Sequence, residues 1–278
     1  MSLSSVAEAA PRSLAEPFRS RRTFAIISHP DAGKTTLTER LLAAAGAIQS
    51  AGAVRGKAGV RSTRSDWMEM EQKRGISITS SVMTFDYDGL TLNLLDTPGH
   101  SDFSEDTYRT LTAVDAAIMV IDAAKGIEAQ TLKLFEVCRL RDIPIITFIN
   151  KVDREGLAPL DLIDEIQGKL ALDLTPVLWP IGQGVDFRGY LDLLEKRVVN
   201  PQGKPIAEYD AIEDLLDNEA LVDDPIFMTA LENLEMATSM LPGFDLATFH
   251  AGHLSPVLFG SALKGIGVAE LLRTLGEW

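Results

Sequence analysis

The chain is poor in several features that would each announce a class of protein. Among 278 residues there is one cysteine, Cys138, so no internal disulfide framework exists and a reducing cytoplasm is the expected setting. Cys138 sits in an apolar helical pattern and reads as a buried structural thiol rather than a nucleophile. No hydrophobic run approaches the roughly 18 residues that a membrane span requires. The richest stretches, Ala116 to Ile121 and Ile143 to Ile149, are strand-sized, which excludes a membrane protein of the helical kind. The first 22 residues lack a continuous hydrophobic segment and carry Glu8 and Glu16, so they read as a flexible leader and not a secretory signal. Basic residues are the minority, 26 Lys and Arg against 40 Asp and Glu, and the net charge of −14 argues against a protein that coats DNA or RNA through overall charge. No internal repeat or low-complexity tract occurs.

What is present belongs to a soluble globule. The 46% hydrophobic and 24% charged fractions, over this length, suffice for one large α/β domain plus an insertion. Such a chain buries roughly three quarters of its unfolded surface. Thr23 to Ser28 is a short apolar run that ends at a Gly-containing turn, and Thr35 to Ala45 follows with Leu37, Leu41 and Leu42 at helical spacing, giving strand, loop and helix. Gly46 to Ser80 lacks periodicity apart from a helical pattern near Ser65 to Lys73, and it is locally basic between Arg55 and Arg74. Its length points to a nucleotide-sensitive switch that could meet RNA phosphate, although a solvated loop of mixed charge fits equally well. Ser81 to Tyr87 and Leu90 to Asp96 flank Asp88 and Gly89, the turn pair of a hairpin. Helical and strand patterns then alternate: helix Asp102 to Thr112, strand Ala116 to Asp122, helix Glu128 to Arg141, strand Ile143 to Asn150, helix Pro159 to Leu170, strand Pro256 to Gly260 and helix Val268 to Leu275. The order predicts an α/β fold with a mostly parallel sheet, helices on both faces, and a domain from residue 23 to 278. The looser, acidic stretch from about Leu174 to Ser255 is expected to be an inserted subdomain.

Three strings in fixed order carry the chemistry: SHPDAGKT (Ser28 to Thr35), DTPGH (Asp96 to His100) and NKVD (Asn150 to Asp153). Each alone is a modest signal; together they ask for one guanine nucleotide with Mg²⁺. The first loop, Ser28, His29, Pro30, Asp31, Ala32, Gly33, Lys34, Thr35 and Thr36, can aim successive backbone N–H groups at a β-phosphate, with the following helix N-terminus adding its dipole. Lys34 is expected to bridge β- and γ-oxygens, and the Thr35 hydroxyl to bind the metal. Ser28 stands where this pattern normally begins with glycine, which implies an ordinary negative φ there, since the left-handed region would cost a serine about 1–2 kcal/mol. Asp96 is expected to hold Mg²⁺ through water, Gly99 to present its N–H to the γ-phosphate, and His100 to orient the attacking water. In RGISIT a hydroxyl should reach the metal, and spacing alone does not choose between Ser77 and Thr79. Asp153 can accept from guanine N1–H and the exocyclic amine, a donor pair that adenine lacks. Asn150 is expected to brace that loop and Lys151 to cover the ring, while Ser261, Ala262 and Leu263, in the GSAL turn, supply a backbone contact to guanine O6. His250 and His253 have no motif behind them, and Trp67 and Trp179 read as packing residues.

At this point the chain resembles the translational GTPases, and most closely their bacterial release-factor branch. The resemblance runs from Arg21 to Trp278 and rests on RRTFAIISHPDAGKTTLTE, SDWMEMEQKRGISITSSVMTF, LLDTPGHSDFSEDTYRTLTAVD, VIDAAKGIEAQTLKLFEVCRLRDIP, FINKVDRE, WPIG and LFGSAL. It implies a P-loop GTPase fold that uses GTP, GDP and Mg²⁺. It further implies the ribosome and class I peptide release factors as partners, and a role in recycling those factors after peptide release. It aligns Ser77 with the Mg²⁺-binding threonine of the first switch, Asp31 with a carboxylate near a monovalent cation, and His100 with the catalytic histidine, flanked by Pro30 and Ile76. Relatives continue into a β-barrel and further domains, so the resemblance implies an isolated GTP-binding domain that hydrolyses GTP slowly alone. An elongation factor G-like translocase domain and a non-catalytic GTP-responsive module are the competing readings; an ATP-using phosphotransferase leaves NKVD without a purpose.

Overall fold

The structure, a computed structural model, describes residues 20–48, 81–96 and 105–278. The switch segment with Ser77, the DTPGH loop beyond Asp96, Trp67 and most of the leader therefore lie outside the described residues. Within them the chain runs β1 (Arg21–Ser28), α1 (Lys34–Ala44), β2 (Ser81–Tyr87), β3 (Leu90–Asp96), α2 (Glu105–Leu111), β4 (Ala116–Asp122), α3 (Ala129–Arg139), β5 (Ile145–Asn150), α4 (Pro159–Leu170) and β6 (Asp173–Ile181). It continues through β7 (Gly189–Asp192), β8 (Arg197–Val199), β9 (Pro205–Glu208), α5 (Glu219–Val222), α6 (Pro225–Met240), α7 (Leu246–His250), β10 (Leu254–Phe259) and α8 (Val268–Glu277).

All ten described strands form one sheet in the order β2, β3, β1, β4, β5, β10, β6, β7, β8, β9. The six strands from β3 to β6 in that order are mutually parallel, and β2 and the β7–β9 meander are antiparallel additions at the two edges. The two-residue periodicity of β1 divides the core between the faces. Phe24 and Ile26 pack with Leu37 and Leu41 of α1 and Leu271 and Leu272 of α8. Ala25 and Ile27 pack with Leu134 of α3, Ile163 of α4 and Leu231 of α6 on the other side. Parallel strands buried on both faces read as continuous apolar runs, which is why β4 and β5 were legible as strands.

Two expected boundaries fall inside strands. The leader ends earlier than residue 22, because Arg21 and Arg22 already pair with Thr91 and Leu92 of β3. The segment expected to leave the domain at Leu174 and return at Ser255 instead has both residues in register with each other, in β6 and β10. The inserted chain thus lies between those strands and extends the main sheet through β7–β9 before α5, α6 and α7 return. The short strands β7 and β8, of four and three residues, carry too few periods to be recognised in sequence. Residues 205–263 contain eleven acidic residues and neither Lys nor Arg, so most of the chain's net charge of −14 is concentrated in this insertion.

Candidate functional site

In an open parallel sheet the loops beyond the carboxyl ends of the strands share one edge and converge. Register places them here: Asp96 of β3 is level with Ile26 of β1, Ser28 with Val120 of β4, and Asp122 with Asn150 of β5. The loops after β1, β4, β5 and β10 therefore open on the same end of the sheet, where β3 also ends.

The loop after β1 is shaped by backbone conformation. Asp31 and Gly33 have φ of +66° and +107°, while Ser28 keeps the negative φ inferred for it. The Ala32 N–H donates to the His29 carbonyl at 3.2 Å, closing the first turn. Gly33 is the N-cap of α1, whose first turn has no side-chain cap and no acidic residue. A helix start of this kind, with its dipole, favours negative charge. Lys34 is 7% exposed at that terminus, and Thr35 and Thr36 are half-buried beside it.

His29 links the phosphate loop to α3. Its backbone N–H donates to the Thr131 hydroxyl of α3 at 3.1 Å, and its Nε2 lies 3.3 Å from Glu128 Oε1. Both contacts tie His29 to the start of α3, while its Nδ1 is buried without a hydrogen-bond partner. Ser28 is buried at the strand end.

The NKVD loop is braced by side chains. Asn150 donates from Nδ2 to the Ala32 carbonyl at 2.7 Å and accepts at Oδ1 from the Ala262 N–H at 2.8 Å, so one buried amide joins the phosphate loop, the end of β5 and the turn after β10. This contact explains Gly33: a Cβ there would come 2.2 Å from Asn150 Nδ2. Lys151, at φ +75°, donates to the Asp31 carbonyl at 2.6 Å and pairs with Asp122 at 2.6 Å. Asp122 is 4% exposed and also accepts from the Ala124 N–H at 2.9 Å. Asp153 follows in the same loop, with Oδ1 buried and without a hydrogen-bond partner. A desolvated carboxylate oxygen of this kind is costly unless a donor meets it, which is the chemistry of a guanine edge.

The turn after β10 completes the arrangement with one adjustment. The Ser261 N–H donates to Ile266, the Ala262 N–H to Asn150 and the Lys264 N–H to the Ser261 hydroxyl. Ser261 and Ala262 therefore spend their amides within the protein, and Leu263 between them and Lys264 is exposed. Arg40 of α1 holds the turn by donating to the Leu263 carbonyl at 2.6 Å.

Asp122, Thr131 and Glu128 were not singled out from sequence, though Asp122 left a signal. A carboxylate closing the apolar run AAIMVI demands a buried partner. Trp179 is a packing residue, fully buried with its ring edge-to-face against Phe259 at 5.4 Å. His250 makes a 2.7 Å contact with the Trp278 carbonyl. No helix among the described residues is long and apolar enough to cross a membrane.

Asn150 and Lys151, with Asp31, Ala32 and the 261–263 turn, form one hydrogen-bonded unit at the sheet edge, the arrangement of a P-loop GTPase fold. A crystal structure of a protein from Thermus thermophilus superposes with a TM-score of 0.71 at 24% identity, covering 92% of this chain and 40% of that one. The chain is similar to peptide chain release factor 3 of Aromatoleum aromaticum, 53% identical over 96% of this chain and 50% of that protein. It is likewise similar to peptide chain release factor 3 of Bordetella petrii, 54% identical over 92% of this chain and 49% of that protein. The same protein of Staphylococcus saprophyticus subsp. saprophyticus is 52% identical over 94% and 50%. The chain thus spans about half the length of the curated relatives it matches. Residues 19–278 match the model of the elongation factor Tu GTP binding domain, and the chain belongs to that family.

Proposed function

We propose that this chain binds and hydrolyses GTP, as the nucleotide-binding part of a ribosome-stimulated GTPase of translation termination that acts in the cytoplasm. The observation carrying the nucleotide reading is the union of the two loops through Asn150, with Asp153 Oδ1 buried and unpartnered beside it. Asp153 reads guanine N1–H and the exocyclic amine, Asn150 holds the loop, Lys151 covers the ring, and the Leu263 amide meets O6. Charge-assisted hydrogen bonds of this type contribute about 1.5–3 kcal/mol each, enough to reject ATP.

Lys34 and the leading N–H groups of α1 neutralise charge on the β- and γ-oxygens. Thr35, Asp96 and Ser77 are the oxygen donors that suit Mg²⁺, which supplies charge neutralisation between the phosphates when bound. Asp31 is assigned to a monovalent cation by the family resemblance. His100 orients water for in-line attack on the γ-phosphorus, breaking its bond to the β–γ bridging oxygen and giving GDP and inorganic phosphate. Gly99 senses the γ-phosphate through its amide. The names of the relatives and the motif series support termination, with the ribosome and class I release factors as partners and release-factor recycling as the outcome. On this reading the GTP-binding domain begins with β1 at Arg21 rather than at residue 23, and the chain between β6 and β10 is a subdomain rooted in the sheet.

Titration calorimetry with GDP, GTP and ATP tests the base assignment. GTP and GDP should bind and ATP should not, and Asp153→Asn should turn preference toward xanthosine nucleotides; an unaltered preference contradicts it. Single-turnover hydrolysis by His100→Ala, slower than wild type on this reading, separates an enzyme from a binding module. Ribosomes that leave the GTPase rate of a full-length relative unchanged would sink the termination reading.

A further inference from the structure

The chain leaving β6 turns through Gly182, Gln183 and Gly184, with φ of +73° and +59° at the two glycines. This is the root of the insertion, and it lies directly against the NKVD loop. The Gly184 N–H donates to the Val152 carbonyl at 2.9 Å, and Val152 stands between Lys151 and Asp153. The Gln183 amide donates to the Leu157 carbonyl at 3.1 Å, and a Cβ on Gly184 would lie 3.1 Å from the Glu155 nitrogen.

A second set of contacts joins the same root to the other wall of the site. The Tyr190 hydroxyl of β7 donates to Glu270 Oε1 at 2.7 Å, and Asp192, fully buried, pairs with Arg197 at 3.0 Å and Arg273 at 3.3 Å. Glu270 and Arg273 belong to α8, and Glu270 lies in its first turn. That helix emerges from the 261–267 turn, which is closed by the Ser261–Ile266 bridge. The insertion therefore holds the Asp153 loop with one hand and the Leu263 turn with the other.

We propose that the root of the insertion, Gly184 with Tyr190 and Asp192, positions both walls of the guanine pocket and thereby sets base discrimination and the rate of nucleotide release. These are positioning residues that act through Asp153 and the 261–263 turn. A carboxylate reading two donors at once tolerates little displacement, so a shift of the loop that Gly184 supports weakens the contact to the exocyclic amine. Anything that moves the insertion would then loosen the nucleotide from the base side.

The inference rests on the guanine reading above. Its test is displacement of fluorescent GDP in stopped flow, with the ratio of inosine to guanosine diphosphate dissociation constants, for wild type, Gly184→Ala and Tyr190→Phe. Inosine keeps N1–H and O6 and lacks only the exocyclic amine. Gly184→Ala should release GDP about tenfold faster and Tyr190→Phe about threefold faster. The guanosine preference should narrow in both, with single-turnover hydrolysis of bound GTP within about twofold of wild type. Release and preference unchanged in both variants would overturn the proposal. A loss equal for both bases, accompanied by a lower melting temperature, would also overturn it and leave the root a structural support. Absence of any guanosine preference in wild type would instead sink the guanine reading itself.

Discussion

The phosphate loop and the guanine loop are neighbours built on different principles. The first takes its shape from backbone: two residues at positive φ, a glycine N-cap and an uncapped helix start. The second takes its shape from long-range side-chain bonds, with Asn150 and Lys151 reaching residues about 120 positions away in Ala32 and Asp31. A backbone-shaped loop is specified by local residue types and can be read from a short string. A side-chain-braced loop depends on partners that only the fold brings near.

The largest effect is expected where the two principles meet. Gly33→Ala places a Cβ 2.2 Å from Asn150 Nδ2 at φ +107°. Either the loop flattens or Asn150 withdraws from Ala32 and Ala262. The strain costs about 1–2 kcal/mol and each buried bond lost about 1–3 kcal/mol, so the GDP dissociation constant should rise at least about 100-fold. Calorimetry showing a change under about fivefold would mean that the loops are independent.

Asp122→Asn probes the brace alone. It removes the charge facing Lys151 Nζ at 2.6 Å and leaves an ammonium that is 23% exposed, still bound to the Asp31 carbonyl. Loss of one partner from a buried pair costs up to about 3–5 kcal/mol when desolvation is complete, and less at this exposure. An increase of about 30-fold in the GDP dissociation constant is expected, measured by the same titration. Lys151→Ala in the Asp122→Asn background should raise it further, because Lys151 also donates to the Asp31 carbonyl and covers the base.

The contrast also explains what the sequence could disclose. The α/β alternation was legible because β4 and β5 are apolar throughout and the helices between them keep their period. The positions of Gly33, Lys34, Asn150 and Asp153 in the fold followed from motif order. The His29 anchor was not legible, because its partner Thr131 lies 102 residues away with no local pattern to mark it. Nor was the adjustment at Ala262, whose amide is committed to Asn150 only once the sheet has formed. The insertion's continuity with the sheet was hidden by the brevity of β7 and β8 and by the antiparallel turn of direction after β6.

Two buried groups away from the loops make stability sensitive to alkali. Cys138, in the last turn of α3, has its thiol pushed up to about 12 by burial. Tyr209, whose hydroxyl donates to the Asp192 carbonyl, is also pushed up to about 12, by burial and then by the Asp192 charge. Groups with folded pKa raised above the unfolded value leave stability intact below the unfolded pKa and withdraw it as pH rises toward the folded one. Stability should therefore be flat up to pH 9.0, fall first through Cys138, and fall more steeply above 10.0 as the tyrosine joins. At one unit above the thiol's unfolded value the loss from Cys138 is about 1.4 kcal/mol. Urea midpoints at pH 8, 9.5 and 10.5 check it, and a Cys138→Ala variant should lack the first step.

The smallest effect sharpens the comparison from the phosphate side. Thr131 is 1% exposed, and its hydroxyl accepts the His29 N–H at 3.1 Å, the one long-range bond described for the backbone amides of that loop. Thr131→Val keeps the shape and removes the acceptor, leaving a part-buried N–H unmet at a cost of about 1 kcal/mol. If the loop is shaped chiefly by its own backbone, the dissociation constants for GDP and GTP should rise together by only about fivefold, while Thr131→Ser stays near wild type. Guanosine against inosine preference should not move, because the Asp153 loop is held from elsewhere. A rise comparable with that of Asp122→Asn would erase the distinction, since the phosphate loop would then depend on distant side chains as heavily as its neighbour does.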